Sequence, residues 1–177
     1  LRNYVLEIDS LNRLNQNLTA ENTRIKGQYN EATRQIEGLN TERATLSEKV
    51  AIAAQLDATG ISMQLKNKRG KNTDKTSKCT NIQVNFTIAK NVTAQNGQKT
   101  FYVRITTPAG TTLGGGASFN YQNRSLEATM HKTVEYGGQE MAITTYWNVS
   151  QSLLAGTYQV SIFADGNMIG SRSFTFK

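Results

Sequence analysis

The 177-residue sequence holds one cysteine, one proline, one histidine and one tryptophan, and each scarcity closes off a class of protein. A lone Cys79 forbids an intrachain disulfide and any Cys-x-x-Cys metal or redox motif, and leaves the redox compartment open. It reads as a plain buried or strand-end thiol, although two copies could meet in a parallel pair of chains. A lone His131 leaves nucleophilic catalysis with a single candidate base. By strand parity His131 falls with Glu127, Thr129, Thr133 and Glu135 on a polar face, opposite Leu126, Met130 and Val134. Glu127, His131 and Glu135 are spaced four apart, about 13 Å on a strand at ~3.3 Å per residue, so they cannot grip one metal. There is no Gly-x-Ser-x-Gly, phosphate loop or dinucleotide fingerprint. The Gly114-Gly115-Gly116 run lacks the Lys and the helix of a phosphate site. No enzyme, catalytic residue, cofactor or metal is expected. No apolar run approaches the ~20 residues needed to span a bilayer, and the lone Trp147 reads as core.

Because no proline interrupts the first third, a seven-residue rhythm runs through it unbroken. With Leu1 at position a, the a series is Leu1, Ile8, Asn15, Asn22, Tyr29, Ile36, Arg43, Val50 and Asp57. The d series is Tyr4, Leu11, Leu18, Ile25, Ala32, Leu39, Leu46 and Ala53. Spacing alternates three and four, as a left-handed coiled coil requires. A lone helix with this stripe is marginal in water, so the stripe needs a partner. The expected oligomerisation residues are Ile8, Leu11, Asn15, Leu18, Asn22, Ile25, Tyr29, Ile36, Leu39, Leu46 and Val50. Asn at a satisfies its amide against a matching Asn across the seam, which fixes register and favours two parallel strands. Glu21 and Lys26 offer the one attractive g–e′ pair, and Gly27 and Gly38 each cost roughly 1 kcal/mol of helix propensity. The expectation is a parallel homodimer with a stalk about 85 Å long if fully helical, at ~1.5 Å per residue. Starting at Leu1 in mid-rhythm, the sequence reads as a piece of a longer coiled coil, with any leader or membrane anchor upstream.

The formal net charge is +7, unevenly placed. Residues 1–57 sum to −1 and residues 58–177 to +8, and most of the excess sits in one loop. There Lys66, Lys68, Arg69, Lys71, Lys75 and Lys78 stand against Asp74 alone. These six are the candidate anion-binding residues, for a phospholipid surface, a polyanionic glycan or nucleic acid. Nucleic acid is disfavoured, because the loop has no aromatic for base stacking and follows no known binding module. The bland alternative is a solvated, mobile hairpin or linker.

Helical rhythm fades at Ala51-Ile52-Ala53-Ala54, Thr59-Gly60 supplies a break, and period two then takes over. Ile61, Met63 and Leu65 form a short strand, followed by Ile82, Val84, Phe86 and Ile88 in strict alternation. Asn96-Gly97 turns into Phe101, Val103 and Ile105, and Pro108 ends that strand. Ala117–Tyr121 reads as a weak edge strand, and one further strand is expected from Ser125 to Tyr136. Gly137-Gly138 leads to Met141, Ile143, Trp147 and Val149. Tyr158, Val160 and Ile162 follow Gly156, and Asp165-Gly166 turns into Met168–Phe176. The fold class is therefore α plus all-β: a long coiled-coil helix, then an immunoglobulin-like antiparallel β-sandwich. Residues 1–57 form the stalk, 58–78 the first strand and basic loop, and 79–177 the main body. Leu153-Leu154-Ala155-Gly156-Thr157-Tyr158 has the placement of a tyrosine corner. Asn-x-Ser/Thr triplets at Asn17, Asn85, Asn91, Asn123 and Asn148 are attributed to chance in an Asn/Thr-rich chain.

Tyr4-Val5-Leu6-Glu7-Ile8-Asp9-Ser10-Leu11-Asn12, Leu14–Asn22, Leu46–Val50, Ala54–Ala58 and Phe163–Gly170 together resemble a largely uncharacterised Bacteroidetes family. Its members carry an upstream membrane-anchor-like segment, a coiled coil and a C-terminal β-domain, and some are labelled chromosome segregation or partitioning proteins. The resemblance implies an envelope-associated, periplasmic protein, membrane-attached only through an upstream anchor, and carries over no ligand residue. The function expected is a structural scaffold: a coiled-coil dimer presenting β-sandwiches to protein, glycan or other anionic envelope material. The alternatives are a trimeric, adhesin-like fibre recognising glycan and, on basicity alone, a DNA-associated coiled-coil protein.

Overall fold

The computed structural model describes residues 2–115 and 117–177, so Leu1 of the expected seam and Gly116 of the glycine run lie outside the described residues. The chain divides into two compact units, Leu1–Lys49 and Val50–Lys177.

Helix α1 runs without a break from Arg2 to Ala53, 52 residues with none of them buried. Its threonines are reconciled with helix by bonding back one turn: the Thr19 hydroxyl donates to the Asn15 carbonyl at 2.8 Å, and Thr33 to Tyr29 at 2.9 Å. The ion pairs Arg13–Asp9 and Arg24–Glu21 are solvent-exposed, worth a few tenths of a kcal/mol each. Neither helical glycine, Gly27 nor Gly38, has a neighbour that would crowd a side chain, so their cost is uncompensated within the chain.

The helix ends at Ala53, within the stretch where its rhythm fades. There Asn91, in the same compact unit, donates its amide to the Ala53 and Gln55 carbonyls at 2.9 and 3.0 Å. These are carbonyls a helix end leaves without intrahelical partners. The Asn91 side-chain oxygen meanwhile accepts from the Thr93 and Ala94 amides. Gly60, at φ +60°, lies inside a strand and supports a bulge there.

Among the described residues ten strands follow: β1 (Ala58–Lys66), β2 (Asn72–Thr73), β3 (Asn81–Ile88), β4 (Gly97–Thr106), β5 (Ser118–Tyr121), β6 (Arg124–Glu127), β7 (Met130–Tyr136), β8 (Met141–Asn148), β9 (Gly156–Ala164) and β10 (Asn167–Phe176). Two four-stranded antiparallel sheets, ordered β2-β1-β3-β8 and β10-β9-β4-β7, pack over one core. Alternate residues supply it: Ile61, Met63 and Leu65 from β1, Ile82, Val84, Phe86 and Ile88 from β3, Phe101, Val103 and Ile105 from β4, Val160 and Ile162 from β9. Trp147 is buried in this core and its indole N–H donates to the Gly114 carbonyl at 3.1 Å. Tyr158 is buried too, and its hydroxyl donates to the Leu154 carbonyl at 2.7 Å.

The single strand expected over Ser125–Tyr136 is two. β6 pairs with β5 as a small hairpin, and β7 pairs with β4 in the second large sheet. Between them Thr129 is buried, not on a polar face: its backbone N–H donates to Val103 and its hydroxyl to Leu113, while it accepts from the Ile105 amide. Glu127 and His131 thus belong to different strands.

The β5–β6 hairpin covers the outer face of the second sheet. Phe119 stacks on Tyr102 with ring centroids 4.7 Å apart and meets Phe163 at 4.8 Å. Each open side of the sandwich is bridged by a long basic side chain. Lys132 on β7 donates to the Thr144 carbonyl on β8 at 3.2 Å, and Arg172 on β10 donates to the Ile61 carbonyl on β1 at 3.2 Å.

Candidate functional site

The basic loop is a built hairpin, not a slack linker. Asn67 sets its turn: the side-chain oxygen accepts from the Arg69 and Lys71 amides at 2.9 and 3.1 Å, an Asx arrangement, with Gly70 at φ +71° completing it. The Gly70 amide donates to the Asn67 carbonyl at 2.8 Å. The return limb carries β2 and a 3-10 turn over Thr76–Lys78. The Thr76 amide donates to the Lys177 carbonyl at 2.7 Å and the Lys177 amide to the Asp74 carbonyl at 2.8 Å, tying the loop to the last strand. The Thr80 amide closes the base on the Lys66 carbonyl at 2.8 Å.

Between the two limbs lies an open pocket of ≈ 500 Å³ lined by Asn67, Lys68, Arg69, Ser77, Lys78 and Thr80, reaching Cys79. Of the six expected cations, Lys68, Arg69 and Lys78 are brought together here, while Lys66, Lys71 and Lys75 stay outside. Among the described residues no carboxylate lies within ion-pair distance of any of the six. Asn67, Ser77 and Thr80 were missed from sequence, though an Asn three residues before a Gly is a turn signal that locates the first. Cys79 is buried at the pocket's edge, its thiol donates to the Asn81 carbonyl at 3.2 Å, and burial pushes the thiol up from its ordinary range. Burial likewise raises the Tyr158 hydroxyl, and negative charge on Cys79 would raise it further.

A second open recess, ≈ 490 Å³, lies beside the β5–β6 hairpin between Gln98, Thr100, Tyr102, Asn120 and Asp165. Its carboxylate is already engaged, Asp165 pairing with Lys99 at 2.5 Å, and its aromatic rings stack on one another.

The eleven expected oligomerisation residues sit on α1 and are exposed: Ile8, Leu11, Leu18, Ile25, Tyr29, Ile36, Leu39, Leu46 and Val50 all show half or more of their surface, and Asn15 and Asn22 are exposed with them. Val50 falls in the second compact unit. Of the glycosylation triplets, Asn91 commits its amide to two carbonyls, and Asn148 and Asn81 hydrogen-bond to each other.

Residues 55–177 match the model of a family described as a domain of unknown function, DUF8428. The chain belongs to this family. The DUF8428 match takes in all ten strands and therefore the basic loop. Residues 1–44 match a second model, a coiled-coil region of unknown function, DUF8429, which contains the seam from Ile8 to Leu39. No curated protein matches the chain. Among solved structures, an alkylpurine DNA glycosylase AlkC of Pseudomonas fluorescens, bound to DNA containing an abasic site analog, is 14% identical with a TM-score of 0.40. The match covers 69% of this chain and 30% of the glycosylase. A Kluyveromyces marxianus beta-glucosidase in complex with glucose is 14% identical with a TM-score of 0.41, over 70% of this chain and 14% of the enzyme. The chain thus spans less than a third of either protein, and likenesses this weak carry nothing from those enzymes to DUF8428.

Proposed function

We propose that this chain is a non-enzymatic scaffold in which α1 pairs in parallel with a second copy and holds two β-domains at the end of a stalk. The observation that carries the reading is the apolar seam along α1: nine large hydrophobic residues in heptad register, each about half exposed or more, on a helix that buries nothing. A helix of this composition gains its stability by burying that stripe against another. Asn15 and Asn22 at successive a positions support two parallel strands over three. The immunoglobulin-like description of the β-domain is supported by β10-β9-β4 lying opposite β1-β3-β8, with the Tyr158 hydroxyl turned back onto Leu154. Placement in the periplasm or cell envelope is supported by the sequence resemblance to anchored Bacteroidetes coiled-coil proteins.

Light scattering of the full chain across a concentration series tests the pairing. The expected result is twice the chain mass, approached as concentration rises. Three times the mass would replace this reading with the trimeric fibre, and a persistent monomer would overturn self-pairing.

A further inference from the structure

We infer that the pocket in the basic hairpin is a binding site for an acidic glycan, a saccharide carrying carboxylate or sulfate groups. The proposal deepens the scaffold reading by naming what the β-domain holds, yet it rests on that domain and not on helix pairing.

Four observations carry it. First, Lys68, Arg69 and Lys78 come from both limbs of the hairpin and line one recess, so the cations converge instead of radiating. Second, none of the three meets a carboxylate among the described residues, so their charge is uncommitted. Third, the recess is fixed before any ligand arrives, by the Asn67 turn and by the backbone bonds Thr80 to Lys66 and Thr76 to Lys177. A preorganised site spends little of its binding energy on ordering. Fourth, uncharged polar groups sit among the cations: the Ser77 hydroxyl and the Asn67 amide nitrogen have no protein partner among the described residues.

That mixture selects the ligand class. Nucleic-acid binders add aromatic platforms, amphipathic membrane helices add apolar side chains, and polybasic membrane segments meet a flat anionic surface with spread charge and need no recess. From Lys66 to Lys78 there is no aliphatic or aromatic residue at all. A concave site with guanidinium, ammonium, hydroxyl and amide donors instead matches a molecule bearing both oxyanions and hydroxyls, with Arg69 placed for the planar oxyanion it recognises in a fork.

The test uses the full chain and two charge-matched variants of the same hairpin: Lys68→Ala/Arg69→Ala/Lys78→Ala in the pocket, and Lys66→Ala/Lys71→Ala/Lys75→Ala outside it. Titration calorimetry is run against a heparin-derived oligosaccharide, an oligogalacturonate, a neutral oligosaccharide of equal length and anionic phospholipid vesicles. Thermal unfolding confirms that both variants remain folded. The expected result is binding to at least one acidic saccharide and not to the neutral one, weakened about tenfold or more by the pocket variant and only a few-fold by the other. Equal loss in both variants would overturn the site in favour of diffuse charge attraction. Binding of vesicles without either acidic saccharide, or of none of the four, would overturn it as well. The mass measurement above is unaffected by any of these outcomes, so failure here and failure of helix pairing are separable.

Discussion

The Asn91 side chain closes the C-terminal end of α1 by donating to the Ala53 carbonyl at 2.9 Å. The same amide reaches Gln55, and the same residue's oxygen holds the Thr93 and Ala94 amides, so one side chain links the helix end to the β3–β4 connection. Asn91→Ala is expected to lower the unfolding free energy by about 1 kcal/mol, because bonds on both sides are lost but of the groups released only the Ala94 amide is shielded from water. Asn91→Asp keeps the acceptor but sets negative charge against two carbonyls at a helix C-terminus, and recovers none of the helix-side loss. Urea unfolding followed by the single tryptophan, Trp147, reads both variants.

Replacing Asn15 and Asn22 together by Leu is expected to raise the thermal midpoint of the helical signal in circular dichroism. It is also expected to admit species larger than a dimer, since the polar a positions trade stability for a defined partner number. A lowered midpoint with unchanged mass would show that neither residue lies in a seam.

Two glycines give opposite expectations. A Cβ on Gly170 would sit 2.8 Å from the Ala58 carbonyl oxygen and 2.9 Å from the Ile61 Cδ1, where β10 passes over β1. Gly170→Ala should therefore cost about 1–3 kcal/mol. Gly137 has nothing within 4 Å and its φ is not positive, so Gly137→Ala is expected to be neutral or to stabilise by up to about 1 kcal/mol. Denaturant midpoints of the two variants decide it.

Alkaline pH should destabilise the β-domain. The Cys79 thiol and the Tyr158 hydroxyl are both raised by burial, so the native chain keeps these protons where the unfolded chain releases them. Their contribution is complete below the ordinary thiol range near 8.5 and is lost as pH rises through the thiol and then the phenol range near 10. Urea midpoints at successive pH values should fall across that window. Cys79→Ala should flatten the first part and Tyr158→Phe the second, the latter also losing about 1 kcal/mol at neutral pH with the Leu154 bond.

Periodicity made most of this fold legible. Strict alternation placed Ile82 through Ile88 and Phe101 through Ile105 in the core, and the heptads drew α1. What failed was marked by no periodic signal. The break between β6 and β7 carries no Gly or Pro: a Thr129 hydroxyl replaces ladder bonds there, and its partners, Ile105 and Leu113, are remote in sequence. The fading rhythm over residues 51–54 marked the helix end, but not the group that closes it, since Asn91 lies far downstream of Ala53. Charge clustering in the basic loop was visible, but not which cations converge, because that depends on how the 3-10 turn returns the chain toward Asn67. The aromatic cluster of Tyr102, Phe119 and Phe163 was hidden because two of its members sit at outward parity on strands, and only the folding-over of a short hairpin covers them.

The bridges from Lys132 to Thr144 and from Arg172 to Ile61 bear on how crowded copies of this domain behave. If α1 pairs as proposed, the tether sets each β-domain at roughly millimolar concentration around the other, far above what most free chains experience. At such densities an unguarded sheet margin invites strand-to-strand adhesion between neighbours. A charged side chain laid over each flank occupies a carbonyl that an intruding strand would seek and leaves positive charge facing outward on every copy. Like flanks then repel, and the domains stay individually available however closely they are gathered.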